Sequence, residues 1–531
     1  MASTGLSRRG FLNLVGRAGG SAALYQTMAA MGLLRVPEAY AGPPSLPRGL
    51  GAGRHVVILG AGIAGLTAAL ELTRAGFACT ILESRNRAGG RSWTLRHGDL
   101  VREVDSRQRC GFDIGAEMYA NIGPARIPQH HQALLGYCRE LGVALQPMVN
   151  DNRNAFLQSD KAFGGRRVRA REFIGASRGY IAELLAKAVS QHALDEALSA
   201  DDQKSFLRML RNFGALNREY RFAGSSRLGY SELPGAGARP GMSMEPLERE
   251  ELLKPVFAYF QLNWAEAIDF APTMLQPVGG MDRIAAAFEK RLHKMIRYDA
   301  VVREIRREHE GVRIVYRDRR GGATRSIAGD TCVCTIPLPV LATIPADFSA
   351  EVRTAITAPT YAKVVKIAFQ ANRRFWEADD QIYGGISWTE QDITQVWYPS
   401  SGFQDRKGVL LGAYIWSDDI AERVGALPPA ERVALALRNG ERLHDRYAEH
   451  LAHGISVAWH KVPENLGAWA DWTAETRKSA YEILCRPDGP IHLAGEHLSH
   501  VTGWQEGAVL SAQAAVTAIG ERARAGAHGK T

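Results

Sequence analysis

Residues Arg54–Ser84 read RHVVILGAGIAGLTAALELTRAGFACTILES. Val56–Leu59 is an unbroken apolar run, as expected of a strand covered on both faces of a parallel sheet. Gly60, Gly62 and Gly65 follow as GxGxxG, a helical pattern runs to about Arg74, and a second strand, ACTILE, ends at Glu83, eighteen residues beyond Gly65. A lone GxGxxG is weak evidence, but here strand, turn, helix and acid stand in the order that dinucleotide binding requires. Gly60 permits the tight turn and Gly62 the close approach of a pyrophosphate. Gly65 lets helix and strand pack, the helix N-terminus favours phosphate charge, and Glu83 suits a ribose diol.

The remainder of the 531 residues exceeds what one core usually serves, so more than one domain is expected. Composition is that of a globular protein, 46% hydrophobic and 23% charged, with no apolar run long enough to span a bilayer. The net charge is +9, falling to +6 without the first 41 residues, which weakly favours anionic ligands. No basic reading motif for nucleic acid is present. The six cysteines (Cys79, Cys110, Cys138, Cys332, Cys334, Cys485) show no CxxC and no zinc spacing. Cys332 and Cys334 alternate along a strand-like run and are expected to face the core together. His497 and His500 stand three apart and His130 and His131 are adjacent, but no acidic or cysteine partner completes a ligand set, so no metal is expected.

The N-terminus reads as a targeting segment. SRRGFLNLVG places Arg8 and Arg9 before a weakly apolar Gly/Ala-rich stretch interrupted by Arg17, and AYA (39–41) offers small residues for cleavage. It resembles a signal for the twin-arginine export machinery, which carries folded proteins, and so implies a periplasmic or secreted product that acquires its cofactor first.

Three further stretches extend the opening motif. NRAGGRSWTLR follows Glu83 directly, and GFDIGAEMY comes after a short insertion. PIHLAGEHLSHVTGWQEGAVLSAQAAVTAI, far along the chain, repeats the strand–turn–helix logic with a small-residue helix from about Glu506. Together with QPVGGMDRIAAAFEKRL and DAVVREIRRE they resemble the flavin-containing amine oxidase superfamily over nearly everything after residue 50. That resemblance implies an α/β fold: a Rossmann-like, glutathione-reductase-type FAD domain assembled from discontinuous segments, with an α+β substrate domain of mixed or antiparallel sheet and a helical insertion. On this chain the FAD domain falls on 54–118, 272–345 and 480–525 and the substrate domain on 119–155 and 346–479. The helical insertion is 156–271 and residues 42–53 are a linker after a signal peptide of 1–41. It also implies FAD contacts from Gly89, Gly90 and Arg91, from Val302 near the adenine, and from Gly495 and Glu496. Ala468 stands where some relatives tether the flavin through cysteine, implying non-covalent FAD.

The chemistry of such an enzyme is hydride removal from a carbon beside nitrogen, done by the cofactor while the protein orients the amine, excludes water and handles oxygen. The family places a lysine ten residues before the Trp of an FW pair, near the flavin. Lys366 stands ten before Trp376, with Lys363 as the fallback. Two aromatic walls flank the amine in amine oxidases. Trp504 fits one, with Gly503 beside it at the substrate, and Trp469 the other, with Trp472 as alternative.

YANIGPARIPQHHQALLGYCRELG, from Tyr119, holds one arginine between two prolines on a stiff loop. L-amino-acid oxidases carry a loop of the form Asn-hydrophobic-Gly-Pro-x-Arg-hydrophobic-Pro, whose arginine forks onto the substrate α-carboxylate. NIGPARIP matches it and gives Arg126 that role. A carboxylate in a dry cavity needs a paired cation, and guanidinium offers two parallel donors. Tyr398, in QVWYPS, is implied as a second donor to that carboxylate, with Trp397 as register alternative. The expected activity is therefore FAD-dependent oxidation of an L-amino acid by dioxygen to a 2-oxo acid, ammonia and hydrogen peroxide. Three alternatives stay open: a 2-monooxygenase giving the amide, an oxidase of amines lacking a carboxylate, and a flavin-free binding scaffold. Side-chain preference, the physiological electron acceptor and homodimerisation are left open.

Overall fold

The computed structural model describes residues 40–193 and 198–528, so the expected twin-arginine segment with Arg8 and Arg9 lies outside the described residues. The opening stretch forms strand His55–Leu59, helix Ile63–Arg74 and strand Ala78–Leu82, each within a residue or two of its expected bounds. These strands pair in parallel, and the sheet grows to five strands by adding Ile296–Arg297, Thr331–Cys334 and Ile491–Leu493. Its members come from three stretches far apart in sequence. Helices Ile63–Arg74, Asp282–Leu292 and Gln505–His528 pack together. A three-stranded antiparallel sheet, Ala300–Glu308, Gly311–Asp318 and Thr324–Gly329, shares a core with the parallel one through Val57, Leu59, Ile305 and Ile314. Cys332 and Cys334 are fully buried in that same core, and every cysteine among the described residues is unpaired.

From Pro44 onward the chain forms one compact unit. Its second sheet has seven strands in the order Leu451–Ala458, Val365–Ala371, Gly408–Ile415, Gln395–Tyr398, Gly385–Thr389, Phe156–Gln158 and Arg167–Arg169. All pairs are antiparallel except Gly385–Thr389 with Phe156–Gln158. The last two strands fall inside the stretch expected to be a helical insertion. At three residues each they are too short to show a period of two, and only pairing to a preformed sheet defines them. The helices of that stretch are Ala170–Ser190 and Ala200–Gly214, with shorter ones later.

Strand Val365–Ala371 positions the chemistry. Val365, Ile367 and Phe369 face one core with Val396 and Leu410, whereas Val364 and Ala368 join a second core with Ile122 and Val457. Lys366 projects on the second side, toward the parallel sheet's cavity. No helix among the described residues is long and apolar enough to cross a membrane.

Candidate functional site

A cavity of about 450 Å³ runs from the first glycine turn to the face of the seven-stranded sheet, lined by Gly60, Gly62, Glu83, Val302, Arg91, Lys366 and Trp504 among others. Its glycine end has the shape a pyrophosphate needs. Gly60 has φ +102°, and a Cβ on Gly65 would lie 2.0 Å from the Gly60 carbonyl oxygen, so neither tolerates a side chain. A Cβ on Gly62 would meet nothing within 4 Å. The backbone there is bare toward the cavity at the start of helix Ile63–Arg74, a cradle that a dinucleotide phosphate fills. Glu83 Oε2 accepts the Ala61 N–H at 2.8 Å and keeps a lone pair for a ribose hydroxyl. Gly62→Ala puts a methyl group into the cradle, where it meets no protein atom within 4 Å. It is expected to weaken FAD retention at least about tenfold while the apoprotein stays folded, read by flavin absorbance after gel filtration beside circular dichroism.

The GGR segment and the C-terminal segment meet at this cavity. Gly89 donates its N–H to the Ala61 carbonyl at 2.8 Å. Arg91 pairs with Glu496 at 2.7 Å and donates to the Ala468 carbonyl at 2.8 Å. Glu496 also accepts from the backbone N–H groups of Gly503 (3.0 Å) and Ala470 (3.3 Å). Burial opposes the charge on Arg91, but the Glu496 carboxylate outweighs it and holds the guanidinium above its usual range. This one ion pair, with the bonds to Ala468, Ala470 and Gly503, locks the GGR segment to the segments bearing both Trp469 and Trp504. Gly495, at φ +149°, and Val302 line the same cavity.

Lys366 is 2% exposed. Its Nζ donates to the carbonyls of Gly123 (2.6 Å) and Asn121 (3.4 Å) and lies 4.2 Å from the centre of the Tyr414 ring on the neighbouring strand. Among the described residues no carboxylate pairs with it. Burial first, and the Arg126 charge second, lower its pKa to about 7. Lys363 instead pairs with Glu422 at 2.8 Å on the surface, so the fallback is set aside.

The loop supplying those carbonyls is the NIGPARIP turn. A Cβ on Gly123 would lie 1.8 Å from the Arg91 carbonyl oxygen, so the turn presses directly on the GGR segment. Ile127 exchanges backbone hydrogen bonds with Leu275 at 2.7 and 2.9 Å, pinning the other end. Arg126 between them is 7% exposed. Its guanidinium carbon lies 4.7 Å from the Trp397 ring centre, 5.0 Å from Phe270, 5.2 Å from Trp264 and 5.6 Å from Trp504. Nη1 donates to Asn150 Oδ1 at 2.9 Å, while Nε is buried without a partner. Among the described residues no carboxylate forms an ion pair with it. Burial lowers its pKa to about 10, which leaves it charged at neutral pH. Aromatic faces stabilise such a cation by about 0.5–2 kcal/mol each but accept none of its hydrogen bonds in the manner of an oxygen. The site thus holds a desolvated guanidinium with unused donor capacity, bordered by Trp504, which also lines the cavity.

Trp469 and Gly503 line that cavity too, and the Gly503 Cα would carry a Cβ 3.5 Å from the Trp469 ring. Trp472 turns away, donating its Nε1–H to the His497 carbonyl at 2.9 Å and packing on Tyr481. Trp469 is therefore the cavity residue of the two.

Tyr398 is corrected. Its hydroxyl is 2.7 Å from Ser387 Oγ and 2.6 Å from His444 Nε2, whose Nδ1 contacts Asp380 at 2.7 Å, a closed chain on the opposite face of the sheet from Lys366. Trp397, the register alternative, faces Arg126. The strand's period of two fixes this: one step along it reverses the face. Tyr398→Phe is accordingly expected to leave KM for substrate within about twofold while lowering stability by about 1–2 kcal/mol, measured by denaturant unfolding beside steady-state kinetics.

Sequence reasoning missed Tyr414, Trp264, Phe270 and Asn150. GVLLGAYIW showed a strand, but only pairing of Tyr414 with Lys366 reveals its face. Trp264 and Phe270 stack at 4.0 Å in irregular chain with no period to read.

The family model for flavin containing amine oxidoreductases matches residues 63–520. The chain is similar to the L-amino-acid oxidase of Siganus canaliculatus, 28% identical over 489 residues spanning 88% of this chain and 85% of that protein. It is similar to the flavin-dependent L-tryptophan oxidase RebO of Lentzea aerocolonigenes, 28% identical over 500 residues that span 88% of this chain and 98% of that one. Among solved structures, putrescine oxidase superposes with a TM-score of 0.58 at 20% identity, covering 88% of this chain and 98% of its own. Cyclohexylamine oxidase from Brevibacterium oxydans IH-35A gives a TM-score of 0.57 at 18% identity, covering 88% and 99%. These two speak to the fold alone.

Proposed function

The chain belongs to the flavin-containing amine oxidoreductase family, an FAD-dependent oxidoreductase acting on CH–NH2 groups with non-covalent flavin, and on that premise we propose that its substrates are L-amino acids. The observation that carries this reading is Arg126: buried, charged, without a carboxylate partner, and three residues from the carbonyl that holds Lys366. A simple amine gives such a guanidinium nothing to neutralise it, and an unpaired buried charge is destabilising. An α-carboxylate gives it two parallel acceptors.

Gly62, Glu83 and the Arg91–Glu496 seam would hold FAD, which would supply the two-electron acceptor chemistry of the reaction. The protein does the rest. Arg126 anchors the carboxylate, and Trp504 and Trp469 bound the space left for the amino group and its α-carbon. The apolar ring of Trp264, Phe270 and Trp397 excludes water from the ion pair, which strengthens it. Lys366 Nζ, poised near neutrality, carries positive charge beside the cavity and is placed to stabilise negative charge developing on oxygen. Overall the amino acid loses two electrons and two protons to give the imino acid, which water converts to the 2-oxo acid and ammonia, while dioxygen becomes hydrogen peroxide.

Product analysis tests the reaction class. With an L-amino acid in air, stoichiometric 2-oxo acid, ammonia and peroxide are expected. A carboxamide with release of carbon dioxide would contradict it and point to monooxygenation. The export segment at Arg8 and Arg9 supports a periplasmic or secreted enzyme, which signal-sequence fusion to a reporter in a twin-arginine export mutant tests directly.

A further inference from the structure

The start of helix Gln132–Leu141 holds a cluster that the reaction above does not use. His130 and His131 are joined there by Asp269, from a distant loop, with His130 Nε2 3.0 Å from Asp269 Oδ1. One ligand atom from each residue falls within 4.8 Å of the other two, the one such triad among the described residues. His131 is 1% exposed and its Nε2 makes no hydrogen bond; His130 Nδ1 is likewise buried and unsatisfied. Buried ring nitrogens are ordinarily partnered, so the unsatisfied His131 Nε2, in a cluster where His130 Nε2 already meets the Asp269 carboxylate, asks for a ligand.

We propose that His130, His131 and Asp269 form a binding site for a zinc-like divalent cation. Two imidazole nitrogens and one carboxylate oxygen are a zinc donor set, with water completing the tetrahedron. Calcium and magnesium require mostly oxygen ligands and fit poorly. In a tetrahedral site with bonds of about 2.0–2.1 Å the ligand atoms stand about 3.3 Å apart, so the 3.0 Å pair of His130 and Asp269 opens slightly and the wider separations, up to 4.8 Å, close. His130 and Asp269, at 34% and 44% side-chain exposure, have the freedom to make that adjustment. The position matters because of its neighbours. The His131 ring meets Trp504 edge-on at 5.1 Å, and Asp269 precedes Phe270, which stacks on Trp264. A bound ion ties the loop bearing Phe270 to the helix start beside Trp504, and so fastens two of the four rings around Arg126 to each other.

The test is calorimetric titration of zinc chloride into untagged, FAD-loaded enzyme first treated with chelator. One ion per chain is expected, with affinity reduced at least roughly tenfold in both Asp269→Ala and His130→Ala and unchanged in His500→Gln. Flavin absorbance confirms that each variant is folded. Zinc should also raise the Tm of the wild type and not of the two site variants. Absence of binding at a large molar excess of zinc, or equal binding by wild type, Asp269→Ala and His130→Ala, overturns the proposal.

Discussion

Arg126→Met lowers kcat/KM for the best L-amino acid by roughly 30-fold to several thousand-fold, the equivalent of the about 2–5 kcal/mol lost when one partner of a buried charge pair is removed. The decarboxylated amine of the same side chain is expected to lose no more than about threefold, because it never engaged the guanidinium. Arg126→Lys, which keeps the charge but offers a point instead of a fork, falls between the two. A purely structural role for Arg126 predicts a different pattern: equal losses on both substrates and a lower Tm. The geometry argues against that. Apart from one bond to Asn150, the guanidinium is held by aromatic faces; no carboxylate among the described residues forms an ion pair with it and Asp269 acts on it only from a distance, so its removal eliminates a buried charge whose desolvation is not made good. The Tm of the substrate-free enzyme should therefore hold or rise.

Lys366→Met is expected to slow the reaction of the reduced enzyme with dioxygen by about 10²–10³-fold, the range for removing one preorganised electrostatic group. Anaerobic reduction by substrate should change by less than about tenfold, since Lys366 is not asked to move a proton there. The pH dependence follows from the buried ammonium, whose pKa burial and Arg126 bring down to about 7. Below that value Nζ is charged and assists; as pH rises through it, the charge and the rate decline together. Tyr414 and the carbonyls of Asn121 and Gly123 are the polar groups facing it, and none replaces the lost charge. Stopped-flow mixing of reduced enzyme with dioxygen from pH 6 to 9 should show a falling limb in the wild type and a flat profile in Lys366→Met. A bound carboxylate beside Arg126 weakens the repulsion and moves the limb upward, so the profile differs between free and ligand-bound enzyme.

What the sequence revealed tracks how local each signal is. Gly60, Gly62 and Gly65 were legible because they stand within six residues where one strand meets one helix: backbone geometry demands Gly60 and Gly65, and Gly62 keeps the cradle open for a phosphate. Arg126 stands out because NIGPARIP resembles the L-amino-acid oxidase loop; the two prolines alone leave a surface arginine equally open, and its burial is evident only in the fold, where Gly123 presses on the Arg91 carbonyl. Tyr398 was misplaced because QVWY alone does not declare which face is inward; burial on both sides erases the polar alternation that would have told. Asp269 was missed as a partner of His130 because only the tertiary fold brings it there. The aromatic ring around Arg126 draws on three separate stretches, and no one of them carries a pattern that points to the others.

The central claim is that the Arg126 guanidinium selects a carboxylate. Anaerobic bleaching of the flavin band by matched pairs, each an L-amino acid and its decarboxylated amine, tests it most directly, since it reads substrate oxidation without the oxygen step. The L-amino acids should bleach the wild-type enzyme at least about 100-fold faster at equal subsaturating concentration, and that preference should collapse in Arg126→Met. Bleaching by the amines as fast as by the amino acids, in an enzyme with Arg126 intact, would contradict it.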